Sequence, residues 1–285
     1  MARELLDNSI GQKDLEEHIA GSDDFLFEME VLKSLHTNFG FGQPLIEHGG
    51  TYTDPATRKP RQFDLRLTAF AGQGLRLAFA IECKNVRSNF PLLVYEVLRG
   101  VSESTCTVIV RDTRLAKSYP LSIATYRKSP WVGRNCVQVG RAKKDGRVCA
   151  SQDGVYDKWA QAISSSYGMM EWSARKLRAD EEFVRHTIVF PVVVIPSQML
   201  WAQRFASDGR PQGQPKPSNY VDYFVGREFT LNEQSIRATV SHLRICPIDH
   251  MDEAIQGLMD DACWAVNSAS GSLPRLGAAL SGIEL

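Results

Sequence analysis

A run apolar enough to lie inside a sheet, LAFAIECKN at 77–85, ends by placing an acid and a lysine two residues apart. Alternate residues of a strand point to the same face, so Glu82 and Lys84 project together and Ile81 and Cys83 project the other way. A carboxylate and an ammonium at the end of a buried strand are costly to desolvate unless a salt bridge or a metal ion offsets that cost. Any fold this chain adopts has to provide one or the other.

The residues upstream narrow the choice. SDDFLFEMEVLKSLHTNFG, from 22 to 40, has the signals of a helix: Ser22 or Asp23 as cap, acids in the first turn and Gly40 as the stop. Its apolar stripe is expected to run through Phe25, Leu32, Leu35 and Phe39, and the position that completes the pattern is Glu28. Glu30 falls on the water side with Ser34 and Thr37. Three strands follow, at about 43–53, 61–70 and 75–84, with the glycine-containing AGQG between the last two suited to a hairpin. In the second of these strands Phe63, Leu65 and Leu67 alternate with Asp64, Arg66 and Thr68. With the turn centred near residue 73, Asp64 lies nine residues before it and Glu82 nine after, so antiparallel pairing makes the two acids neighbours.

Two carboxylates at such separation repel each other, and the usual compensation is a cation held between them. Hard oxygen ligands of this number suit magnesium, with manganese able to substitute, and magnesium keeps waters and is completed by a substrate phosphate. It would polarise a phosphodiester and lower the pKa of bound water, while Lys84 would stabilise the hydroxide or the charge growing on phosphorus.

With Asp64 followed by Glu82-Cys83-Lys84, the chain resembles the PD-(D/E)XK, or restriction-endonuclease-like, nuclease superfamily. The resemblance implies an α/β fold with a mixed central sheet flanked by helices: a helix, a three-stranded meander carrying the motif, a second helix and a further strand. It also implies metal ligation by Asp64, Glu82 and the backbone carbonyl of Cys83, with Lys84 as the catalytic lysine. Many members add a glutamate from the first helix, which here is Glu28, already singled out by periodicity. Phe63 stands where the family's proline would precede the first acid. Gln161 and Tyr167 only loosely match the glutamine-tyrosine pair of some exonuclease branches.

The order of later elements fits that family if 155–179 is the second helix and 187–196 the fourth strand. The chain then reads as one domain over 1–285: a motif core at 23–84, a basic insertion at 86–150, and the rest of the core with a C-terminal extension at 151–285. In the insertion FPLLVYEVL and TCTVIVR are strand-like, and PWVGRNCVQVGRAKKDGRVC is a hairpin or an irregular stretch. QMLWAQRFASDG and YVDYFVGREF are expected to form a long hairpin across a flexible RPQGQPKPSN loop. ATVSHLRICPI then reads as a last strand and DHMDEAIQGLMDDACWAV as a helix capped by Asp249.

Net charge is zero, but its distribution is uneven: residues 1–57 carry 3 Lys+Arg against 11 Asp+Glu, 58–147 carry 18 against 6, and 148–285 carry 12 against 16. Such a basic middle is an electrostatic footprint for a polyanion, and Arg58, Lys59, Arg61, Arg66 and Arg87 are candidate phosphate contacts near the site. The bland alternative is a set of solvated charges balanced in space by acidic neighbours. The six cysteines show no zinc-ligand spacing and read as reduced core thiols, and the tryptophans, Trp159 and Trp172 among them, read as core; Trp131, within the basic insertion, is the exception. No apolar run suits a membrane span and the N-terminal segment is too polar for a signal peptide, so the expected location is cytoplasmic. The expectation is therefore a magnesium-dependent nuclease acting on DNA rather than RNA, with a homodimer possible if both strands of a duplex are cut. The rival expectation is a nucleic-acid-binding or assembly protein that keeps the fold but cleaves nothing without a partner.

Overall fold

The alternation of large and small residues in LRLAFAIEC decides how the layers stack. Leu75, Leu77, Phe79 and Ile81 turn to one face of the sheet, and Ala78 and Ala80, with almost no side chain, turn to the other, where a helix can approach closely. In the computed structural model, which describes residues 10–20, 23–39, 44–71, 74–100, 103, 105–112, 117–124, 129–150, 155–174, 184–231 and 236–270, this strand lies inside a large mixed sheet.

The elements in chain order are α1 (Gln12–Ala20), α2 (Asp23–Asn38), β1 (Leu45–His48), β2 (Thr51–Thr53), β3 (Pro60–Gln62), β4 (Leu65–Ala71), β5 (Leu75–Cys83), β6 (Leu92–Leu98), β7 (Thr105–Asp112), β8 (Lys117–Ala124), β9 (Trp131–Arg141), β10 (Val148–Ala150), α3 (Val155–Ala174), β11 (Val184–Ile195), β12 (Leu200–Phe205), β13 (Pro211–Pro217), β14 (Val221–Leu231), β15 (Ile236–Pro247), a short 3-10 turn (Ile248–His250) and α4 (Met251–Ser270). Thirteen strands form one sheet whose main path runs β1-β4-β5-β11-β15-β14-β9-β6-β12-β13, while β2 and β3 make a separate two-stranded ribbon. β1, β4 and β5 are antiparallel neighbours, and β5 pairs in parallel with β11.

Phe27, Val31 and Leu35 of α2 and Met251, Ile255 and Leu258 of α4 share one core with the large residues of β5. On the other face Ile163, Tyr167 and Met170 of α3 pack on Ala78, Ala80 and Val189. The result is an α/β architecture of helices on both faces of a mixed sheet. No helix among the described residues is long and apolar enough to cross a membrane.

Several expectations need correction. The strand expected over 43–53 is broken: Gly49 takes a φ of +70° and the chain passes from β1 into the ribbon. The strand expected over 61–70 breaks likewise at Phe63–Asp64, between β3 and β4. The buried ridge of α2 is Phe27-Val31-Leu35, at four-residue spacing, whereas Phe25 is half exposed. The supposed loop RPQGQPKPSN contains β13, an edge strand paired with β12; prolines are tolerated there because one side of the strand has no partner. The long hairpin is therefore β12–β13, and β14 pairs instead with β15 and β9. Asp249 does not cap α4, because it sits inside the 3-10 turn that leads into the helix and that turn has no side-chain cap. Trp172 is 57% exposed, not core, and Cys149 is exposed. The basic segment 86–150 is woven into the sheet: β6 and β9 extend its far half and β7 pairs with β11. Gly40, residues 72 and 73 of the β4–β5 turn, and 175–179 lie outside the described residues.

Candidate active site

The β4–β5 register places Leu65 opposite Ile81, so the next pair along the ladder is Asp64 and Glu82. Asp64 stands just outside β4, where it is held from both sides: its main-chain carbonyl accepts from Gly49 N–H at 3.0 Å, and its Oδ2 accepts from Cys83 N–H at 2.8 Å. Gly50 makes the approach possible, since a Cβ there would come within 2.5 Å of the Phe63 ring. Lys84 follows the end of β5, its N–H donating to the Val194 carbonyl of β11 at 2.9 Å. The Lys84 ammonium donates to Glu82 Oε1, and Asp64 lies within hydrogen-bonding reach of Glu82.

Glu82 is 1% exposed. Burial, then the charge of Asp64, pushes its pKa up to about 8, although Lys84 pulls the other way. Burial also raises Asp64, against the opposing Cys83 N–H and Lys84. Glu28, on α2, is raised by burial and by Asp64. Burial is the first cause in each case, so the carboxylates of these three acids, gathered around one lysine, are poorly solvated and only partly compensated when ionised. Glu28 Oε1 bonds His48 Nε2 at 2.8 Å, so β1 contributes a histidine that steadies the helix-borne acid.

These residues line a cleft of about 780 Å³ between the start of α2, the end of β5 and the first half of α3, with Phe25, Asn85, Arg87, Phe90, Gln138 and Gln161 among its walls. Strands delivering their carboxyl ends to an open crevice commonly make binding sites in mixed sheets. Among the described residues no three His, Cys, Asp or Glu side chains converge into a ready-made metal cage. A cation here would rest on the Asp64 and Glu82 carboxylates plus main-chain and water oxygens. That donor set, all hard oxygen and electrostatically under-compensated, fits magnesium, which needs only one or two carboxylates before substrate completes its shell. Burial drives the Cys83 thiol well above its ordinary pKa, which leaves it inert as a nucleophile.

The basic candidates separate. Arg87 lines the cleft. Arg58 and Lys59 are exposed in the turn of the β2–β3 ribbon, and Arg61, half exposed, lies 3.6 Å from Asp54. Arg66 is taken up inside the fold: its guanidinium sits 3.9 Å from the Phe63 ring centroid, and its Nε donates to Ser165 Oγ at 3.3 Å. Part of the basic middle is likewise internal, as in Arg99 with Asp222 at 3.4 Å, and part is paired at the surface, as in Arg134 with Glu103. Gln161 reaches the cleft wall and donates to the Gln62 carbonyl at 2.7 Å, whereas Tyr167 is buried against Phe229. Trp131 carries the Arg204 guanidinium 4.9 Å from its ring centroid, away from the cleft.

Sequence reasoning missed His48, Phe25 as a cleft wall, and Gln138. Nothing local marks them: His48 meets Glu28 across 20 residues, and Gln138 arrives on β9 from the middle of the chain. Compared with protein-family models, curated proteins and solved structures, the chain matches none.

Proposed function

We propose that the protein is a metal-dependent nuclease that hydrolyses phosphodiester bonds of nucleic acid, in the first instance a DNA endonuclease. The observation that carries this reading is the pairing of Asp64 with Glu82 beside Lys84 in an open cleft, with all three nearby acids held above their usual pKa. The element order α2, β1-β4-β5, α3, β11, with β5 and β11 parallel, supports it, because it follows the helix, meander, helix and strand order of the PD-(D/E)XK core.

Asp64 and Glu82, with the Cys83 carbonyl, would hold magnesium, which when bound supplies Lewis-acid polarisation of the phosphodiester and a water of lowered pKa. The chain's own groups do the rest. Cys83 N–H fixes the rotation of the Asp64 carboxylate, which lines the cleft beside Glu82. Lys84, held at the end of β5 by its bond to Glu82, carries its ammonium beside the acid pair, where it can stabilise the incoming hydroxide and the negative charge that builds on the phosphoryl oxygens. His48 keeps Glu28 aimed along the same wall, where it can hold a water through its second oxygen. Arg87, at the cleft edge, is placed to steady the nucleic-acid backbone.

The test is cleavage of supercoiled plasmid, single-stranded DNA and RNA in magnesium or manganese, comparing wild type with Asp64→Ala and Lys84→Ala. The expected result is metal-dependent cutting lowered roughly 100-fold or more by either substitution. Cutting that persists in both variants would overturn the assignment.

A further inference from the structure

A second cavity, of about 510 Å³, opens on the same sheet face as the acid pair. Its floor follows from the hairpin register: Thr68 lies opposite Ala78 and Phe70 opposite Arg76, two and four rows along the ladder from Arg66. α3 covers β5 and β11 but leaves β1 and β4 open on this side, so a groove remains between the helix and the sheet edge. Gly168 keeps it open, because a Cβ there would stand 3.1 Å from Arg66 Nη2 and 3.3 Å from Tyr52 Cβ. The ribbon residue Tyr52 lines the groove, and its hydroxyl donates to the Gln161 carbonyl at 3.4 Å on the wall of the active-site cleft.

Two large aromatic residues lie in this groove in contact with water: Trp172 at 57% and Phe70 at 52% exposure. Trp172 is held as a platform. The Arg76 guanidinium lies 4.4 Å from its ring centroid, and Arg76 is itself tied to Ser173. The charges here balance, Glu47 and Glu171 standing with Arg66 and Arg76, and both arginines are engaged within the fold, so the groove offers no surplus of positive charge to a phosphate. An aromatic platform with hydroxyl and carboxylate acceptors around it suits the face and edge of a base.

We propose that this groove binds an unpaired nucleobase of the substrate, stacked on Trp172, while the backbone crosses the neighbouring cleft at Asp64 and Glu82. The inference rests on the nuclease reading and adds to it the strandedness of the substrate: a nucleotide close to the reacting phosphate is single-stranded. A base inside a duplex is stacked on its neighbours and has no free face for Trp172 to take.

The test measures binding of a single-stranded 12-mer and of the same sequence as a duplex, by fluorescence anisotropy in calcium so that cutting is suppressed, for wild type, Trp172→Ala and Trp172→Phe. One stacked base contributes about 1–3 kcal/mol by alanine substitution, so Trp172→Ala is expected to weaken single-strand binding about 5- to 150-fold, with Trp172→Phe restoring most of it and duplex binding unchanged. Trp172 is exposed, so the variants keep the fold, which circular dichroism verifies. Unchanged single-strand binding in Trp172→Ala, or equal losses for single strand and duplex, overturns the groove assignment. The two proposals fail separately. Metal-dependent cutting lost in Asp64→Ala but untouched in Trp172→Ala, with unchanged single-strand binding, removes the base site and leaves the nuclease. Trp172-dependent single-strand binding without any cutting keeps the base site and removes the nuclease.

Discussion

Replacing Glu82 by Gln separates a working acid from a structural ion pair, because the two roles give stability changes of opposite sign. The folded protein raises the Glu82 pKa from 4.5 to about 8, mainly through burial and the charge of Asp64. A carboxyl with a raised folded-state pKa favours folding in its protonated form, so its contribution is complete below pH 4.5 and is lost as pH rises toward 8. At pH 7 the loss spans about 2.5 pKa units, or about 3 kcal/mol at 1.36 kcal/mol per unit. At pH 5 it is under about 1 kcal/mol. Gln is nearly isosteric and never ionises. In chelator, Glu82→Gln is therefore expected to be more stable than wild type by about 3 kcal/mol at pH 7, with the gap closing toward pH 5, as measured by urea unfolding. Magnesium reverses the order, since a cation that binds only the native wild-type site stabilises it by mass action while the Gln variant gains little. If Glu82 and Lys84 were simply a stabilising buried ion pair, removing one partner would cost about 3–5 kcal/mol at pH 7. A Glu82→Gln protein less stable than wild type in chelator would refute the reasoning.

Other perturbations test the surroundings of the site. Gly50→Ala pushes a Cβ against the buried Phe63 ring and displaces the adjacent Asp64; cleavage is expected to fall at least 10-fold, with a cost of about 1–3 kcal/mol in urea unfolding. Leu67 of β4 is fully buried in the core that α2 shares, and Leu67→Ala is expected to cost about 2–5 kcal/mol in urea unfolding without changing the metal dependence of cleavage. His242, whose pKa burial lowers from 6.5 to about 4, stays neutral in the fold while the unfolded chain takes up a proton. His242 by itself is thus expected to withdraw about 3 kcal/mol between pH 6.5 and 4, against the opposite contribution of Glu82 in chelator, so urea unfolding is expected to show the stability difference between His242→Gln and wild type changing by about 3 kcal/mol across that range.

The parts of the site that were legible are the ones that local geometry dictates. A hairpin pairs residues symmetrically about its turn, so Asp64 and Glu82 could be matched by counting from residue 73, and the observed register, Leu65 with Ile81, gives the same pairing. Glu28 followed from the 3.6-residue period of α2, even though the buried ridge beside it begins at Phe27, two positions from the Phe25 that the pattern suggested. The break at Gly49 was not legible, because glycines suit a turn and a bent strand equally. Nor was β13: its prolines signal a loop unless a neighbour is known to lie on only one side.

Charge was the least legible property. The excess of Lys and Arg between 58 and 147 is a fact of the chain, but whether a given arginine faces solvent depends on partners far away in sequence: Arg66 with Ser165, Arg99 with Asp222. The residue order by itself determined the strand ending in Glu82 and Lys84, its antiparallel partner and the helix that precedes them, since periodicity and turn symmetry act over a few residues. The tertiary structure alone decided which groups surround that motif: His48 against Glu28, Gln138 and Gln161 in the cleft wall, and the groove at Trp172. Those placements arise from packing α3 on the small residues of β5 and from threading β6 through β10 into one sheet, and contacts of that range leave no periodic trace in the chain.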